Sequence, residues 1–262
     1  MPLVSRGEAP LNVVESGRRH GEAVLLLHAL GASAAMWAPQ LKALERHFRV
    51  LRYDVRGHGR STWPAGAPAE LSIADLAGDA LAVLDAAGVG RAHWCGLSLG
   101  GMTAMWAAAE APERVGRLVL ASTTAHFPPP EVWASRIETV LRDGLEPIAA
   151  GVAQRWFTEA FRAAHPDLVE RSVAQVRATS PRAYAACCAA VRDMDQRERL
   201  GAIRAATLVV AGAADPGTTV EHAEATVAGI GGADLLVLDA AHLCNVEQAE
   251  DFNEALLDFL RD

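Results

Sequence analysis

Apolar positions along the chain follow two alternating rhythms. Short, nearly continuous apolar runs occur at residues 23–27, 48–53, 93–97, 118–121, 207–211 and 235–238. Between them lie stretches with helical spacing of apolar residues, at 36–46, 73–87, 102–110, 220–228 and 246–260. Unbroken apolar strands alternating with amphipathic helices predict a parallel sheet covered on both faces. Residues 11–15, ahead of Ser16-Gly17, read as an antiparallel edge strand. The predicted fold class is therefore α/β, with a doubly wound, mostly parallel sheet.

The middle of the chain departs from this rhythm. Residues 126–200 contain no good strand but several helical stretches, opened by Pro128-Pro129-Pro130, and the βα pattern resumes at Thr207. A helical insertion between two strands of one sheet is expected, with residues 1–125 and 201–262 as core and 126–200 as a cap. No internal repeat or low-complexity tract is present.

Composition narrows the picture further. The 262 residues are ample for a large core, so no disulfide or metal is needed to hold the fold. With 51% hydrophobic and 21% charged residues the chain is globular and not disordered. Its formal charge of −8 and lack of any basic run argue against nucleic acid or an anionic membrane as partner. Lys42 is the only lysine, which reads as a coding preference for arginine. Cys95, Cys187, Cys188 and Cys244 fit no zinc spacing and are expected to be reduced thiols, in a cytoplasmic protein. Met1–Arg6 lack the charged-then-apolar pattern of a signal peptide, and no apolar run is long enough to span a bilayer.

The sharpest chemical signal is Gly96-Leu97-Ser98-Leu99-Gly100, after a strand-like run and before a helical one. That context makes it a nucleophile elbow. A serine on so tight a turn takes strained backbone angles, and side chains two positions to either side would collide. The following helix dipole favours negative charge developing near Ser98, and Gly101 leaves room for that helix to pack closely.

A serine needs a base to take its proton, and the base needs a carboxylate to orient it. Asp215 follows the run at 207–211 and His242 the run at 235–238, so both are expected at carboxyl ends of strands, where α/β sheets gather their ligands. The chain order Ser98, Asp215, His242 suits this architecture. Other candidates are weaker. Asp239 would have to fold back on His242. His165 and His222 lie in helical patterns and read as solvated, and His58 belongs to the Gly-rich turn Asp54–Ser61. Asp193 and Asp195 read as salt-bridged surface groups in the insertion. The backbone N–H groups of Leu99 and Leu30 are the expected oxyanion donors. His28 fits either a substrate contact or packing beneath the Leu30 loop.

The elbow, the Asp54–Ser61 turn, Asp215 and His242 together resemble the α/β-hydrolase superfamily, whose helical cap sits where the insertion falls. The likeness is closer to the 3-oxoadipate enol-lactonases of aromatic-acid catabolism. It is carried by Gly96–Met102 with Ala111-Pro112-Glu113-Arg114, by Arg155-Trp156-Phe157-Thr158, by the segment from Cys187 to Asp195, and by Ala241-His242 with Asn245-Val246-Glu247. It runs from about Leu11 to the C-terminus. Departures occur at His28-Ala29, where that family usually shows Asn-Ser, at the Asp215–Thr219 loop, which lacks its usual Thr-Pro pair, and at Cys244, where serine is more usual. The fused decarboxylase of some relatives is not expected here.

The resemblance implies a small lactone or ester substrate and a cofactor-free, metal-free acyl-enzyme mechanism. It also implies a site for the substrate carboxylate. Trp133 and Arg136, one helical turn apart at the start of the cap, fit that need. A general carboxylesterase or perhydrolase-type enzyme would share the chemistry. A hydrolase-like receptor would share the residues without steady turnover.

Overall fold

A computed structural model describes residues 4–6 and 9–262. Residues 1–3 of the Met1–Arg6 stretch, which lacks a signal-peptide pattern, lie outside the described residues. A short antiparallel pair, β1 (Val4–Arg6) and β2 (Ala9–Leu11), precedes the main sheet. That sheet has seven strands: β3 (Val13–Gly17), β4 (Ala23–Leu27), β5 (Arg49–Tyr53), β6 (Ala92–Leu97), β7 (Val115–Ala121), β8 (Thr207–Gly212) and β9 (Asp234–Leu238). Their order is β3-β5-β4-β6-β7-β8-β9, with β3 antiparallel to β5 and every other pairing parallel. The edge strand expected at 11–15 is thus shifted: Leu11 ends β2, and Val13–Gly17 pair with β5.

The period-two alternation of strand side chains divides the core into two apolar layers. Leu25, Leu27, Leu51, Trp94, Leu118 and Val209 face one way. Val24, Leu26, Val50, Cys95, Val119 and Val210 face the other. Each fully buried aliphatic side chain contributes about 1.5–3 kcal/mol, which explains why these strands read as continuous apolar runs. β9 differs because it is an edge strand, and Leu235 and Val237 are substantially exposed.

α1 (Ala38–Leu44) lies on the second layer, entered through a 3-10 turn at Ala34–Trp37. α2 (Ile73–Ala86), capped by the reciprocal Ser72–Asp75 pair, and α3 (Leu99–Glu110) cover the first. α3 starts three residues earlier than its apolar spacing predicts, because the turn at Ser98 leads directly into it.

After β7 come five helices: α4 (Pro130–Asp143), α5 (Glu146–Trp156), α6 (Glu159–Ala164), α7 (Pro166–Ala178) and α8 (Pro181–Asp193). Pro130 supplies the first turn of α4, where a missing N–H costs nothing. The two ends of this insertion meet: His126 bridges Asp195, and the Gln196 N–H donates to the Ala125 carbonyl at 2.8 Å. α4 packs on α8, and α5 on α7.

The chain finishes with α9 (Val220–Gly229), α10 (Cys244–Glu247) and α11 (Ala249–Arg261). The helix expected at 246–260 is therefore broken, with Gln248 in a non-helical conformation and its side chain on the Asp239 carbonyl at 2.8 Å. All four cysteines are unbridged and buried. No described helix is long and apolar enough to cross a membrane.

Candidate active site

Ser98 stands between the central strand β6 and α3 with φ 57° and ψ −116°. A non-glycine residue there carries strain of order 1–3 kcal/mol, so its surroundings must hold it. Three bonds to its main-chain N–H and carbonyl do so. The Ser98 N–H donates to Ala121 at 2.9 Å, while its carbonyl accepts from Met102 N–H at 2.9 Å and from the Thr123 hydroxyl at 2.8 Å. The glycines answer a shortage of space: a Cβ on Gly96 would lie 2.2 Å from the Gly100 carbonyl oxygen, and one on Gly100 2.2 Å from that of Leu27.

Asp215 follows β8 and His242 follows β9, and both reach the same end of the sheet. The His242 Nδ1–H donates to Asp215 Oδ2 at 2.6 Å, which leaves Nε2 free to take a proton. Thr218, which sequence reasoning assigned no role, donates its hydroxyl to the same carboxylate oxygen at 2.6 Å. The N–H groups of Gly217 and Thr218 hold the other oxygen at 2.9 and 3.2 Å. Burial alone would raise the Asp215 carboxyl. The His242 ring, the Thr218 hydroxyl and the Gly217 N–H outweigh it, so the group titrates below the ordinary carboxylate range. Asp239 is exposed on the edge loop.

Ser98, Asp215, His242 and Leu30 line one cavity of about 110 Å³. Leu30 lies in a turn closed by Ala32 N–H to Ala29 carbonyl at 3.1 Å, with Gly31 at φ 78°. Leu99 is the first residue of α3, where main-chain N–H groups lack helical partners. His28 is not part of the cavity wall. It is fully buried, accepts from the Val55 N–H at Nε2 (2.9 Å) and donates from Nδ1 to the Ala29 carbonyl (2.8 Å). It ties the Leu30 loop to the loop after β5, so of the two sequence readings the structure places it in packing.

The helical insertion supplies the opposite wall. Trp133 and Arg136 of α4 both line the cavity, with the Arg136 guanidinium 4.6 Å above the indole. The Trp133 indole N–H is buried with no hydrogen-bond partner among the described residues. Arg155 of α5, not anticipated as a site residue, lines the cavity too, as does Tyr184 of α8. Neither arginine has a carboxylate partner among the described residues. Burial, with the adjacent positive charge of Arg136, depresses the Arg155 guanidinium. An unpaired, half-buried pair of cations beside an orphaned donor is costly unless an anion joins them. The only sequence signal for Arg155 was its place in the Arg155–Thr158 segment, and that spacing does not reveal which way it faces.

The remaining candidates lie elsewhere. His165 is exposed. His222 is not simply solvated: it is half-buried, caps α9 through Thr219, and stacks on Phe127 at 6.0 Å. His58 is wholly buried beneath the Asp54–Ser61 turn, its ring 5.5 Å from that of His28. Asp193 and Asp195 are exposed and paired with Arg192 and Arg197.

A family model for the alpha/beta hydrolase fold matches residues 22–249. The 3-oxoadipate enol-lactonase 2 of Acinetobacter baylyi is 36% identical over 249 residues, 95% of this chain and 92% of that protein. A putative carbamate hydrolase RutD of Variovorax paradoxus is 38% identical over 260 residues, 96% of each. The crystal structure of the enol-lactonase from Burkholderia xenovorans LB400 matches with a TM-score of 0.96 at 35% identity, covering 100% of both chains. Sheet order, elbow and these likenesses agree, and the chain belongs to the α/β-hydrolase family, with near full-length similarity to its 3-oxoadipate enol-lactonases.

Proposed function

We propose that the protein is a serine hydrolase that opens 3-oxoadipate enol-lactone to 3-oxoadipate. The observation carrying this reading is the pairing, in one small cavity, of Ser98, His242 and Asp215 with two arginines that have no carboxylate partner among the described residues. A neutral ester would leave both cations unanswered; a lactone bearing a carboxylate answers them. The relatives named enol-lactonases support the same substrate.

In this mechanism Ser98 Oγ attacks the ring carbonyl as its proton passes to His242 Nε2. The N–H groups of Leu99 and Leu30 hold the oxyanion, and Asp215 stabilises the imidazolium. Collapse breaks the ring C–O bond, and the departing enolate oxygen takes the proton from His242. Water then attacks the acyl-enzyme with His242 again as base, releasing a carboxylate and Ser98; the enol tautomerises to the ketone. Trp133 and Arg136, with Arg155, bind the substrate carboxylate. Residues 1–125 and 201–262 form the catalytic core and 126–200 the cap, acting on a small molecule in the cytoplasm.

Loss of the enol-lactone's ultraviolet absorbance on mixing with purified protein tests the reading. Ser98→Ala should lower that rate by about a thousandfold to a millionfold while the fold is retained. Near-normal turnover by the variant would refute the nucleophile. A second reading, hydrolysis of a small ester or carbamate, is favoured by the 38% identity to a putative carbamate hydrolase. Comparing kcat/KM for lactone, carbamate and neutral aryl esters separates the two.

A further inference from the structure

Trp156, the last residue of α5, separates two spaces. One face lines the cavity that holds Ser98, Arg136 and His242, about 110 Å³. Behind it lies a second hollow of about 280 Å³, walled by Met36, Pro39, Leu168, Leu243 and Val246. Trp156 is the one described residue that lines both.

The two spaces differ in chemistry. The cavity carries the arginines and the reactive side chains. The hollow is aliphatic except toward α7, where Arg171, Ser172 and Gln175 form its rim. The partition is rigid: Trp156 is 5% exposed, and its carbonyl accepts the N–H of Leu243, next to His242, at 3.0 Å. An acyl chain that runs from Ser98 toward the end of α5 therefore meets the indole.

We infer that Trp156 is a specificity-determining wall that restricts the site to short-chain substrates, and that the hollow behind it is a closed channel for an aliphatic chain. The inference rests on the proposed reading of Ser98 as nucleophile. Removing the indole should join the spaces and let a chain continue into the hollow. Each methylene buried there should improve binding about fourfold.

The test uses full-length Trp156→Ala and the bulkier Trp156→Leu, which preserves more of the core. With p-nitrophenyl acetate and octanoate, the octanoate-to-acetate ratio of kcat/KM should rise at least tenfold over the wild type in one or both. Adding Ser172→Trp, which fills the hollow from its far side, should reverse the gain. An unchanged ratio, or a gain that Ser172→Trp leaves in place, overturns the inference. Calorimetric binding of octanoate against butyrate, in a Ser98→Ala background with and without the Trp156 substitutions, needs no chemistry. A gain for octanoate there with no Ser98-dependent turnover sustains the wall and defeats the nucleophile reading. No gain defeats the wall itself.

Discussion

Single side chains in this site differ in how much neighbouring structure they depend on. Ser98 is pinned by main-chain bonds on both sides, and Asp215 carries two N–H donors, a hydroxyl and a ring. The arginines are the opposite case, because no carboxylate among the described residues neutralises them. Arg136→Leu and Arg155→Leu should each lower kcat/KM for the anionic lactone about tenfold to a hundredfold, the range for losing a charged hydrogen bond. Most of that loss should fall on KM, and a neutral aryl ester should be little affected. Equal losses on both substrates would remove the arginines from carboxylate binding.

Two of the segments that carry the family likeness, Arg155–Thr158 and Asn245–Glu247, turn out to be partners across 89 residues. Glu247, at the end of α10, accepts the N–H of Ala241 at 3.0 Å and the N–H of Thr158 at 3.2 Å, and it takes the Thr158 hydroxyl as well. One carboxylate thus joins the loop bearing His242 to the junction of α5 and α6. Glu247→Ala leaves two N–H groups without their acceptor, at about 2 kcal/mol. The expected result is a Tm lower by about 4–8 °C in thermal unfolding. Because Ala241 adjoins His242, kcat should also fall about tenfold with KM nearly unchanged. A lower Tm with normal kcat would confine Glu247 to stability.

Stability of the whole molecule should depend on acid through its buried histidines. His58 donates from Nδ1 to the Arg56 carbonyl at 3.0 Å, while its Nε2 has no partner among the described residues. Burial, reinforced by His28, lowers it from the ordinary histidine range to about 3. Between about pH 6.5 and that value the unfolded chain binds a proton that the folded chain refuses. Stability is therefore full above the unfolded pKa and is lost as pH falls toward the folded one, by up to about 1.4 kcal/mol per pH unit. Urea midpoints at pH 7, 6, 5 and 4 should show the decline, and His58→Asn should flatten it. A variant with the same pH slope as the wild type would assign the acid sensitivity elsewhere.

The sequence by itself determined what depends on neighbours along the chain. Alternation of apolar runs sets the strands and the helices between them, and the crowded glycines around Ser98 announce a tight turn. Asp215 and His242 are legible because each directly follows a strand, and parallel strands bring their carboxyl ends to one edge. Only the tertiary structure decided what lies across elements. It brought Arg155 to the same cavity as Arg136, set Trp156 between two hollows, joined Glu247 to Thr158 and took His28 out of the cavity wall. The physical reason is that periodicity records which face of a helix is apolar, but not which partner covers it. The helices at 126–200 are fixed by contacts far apart in the chain, and their polar residues acquire roles only once those contacts have set their rotation.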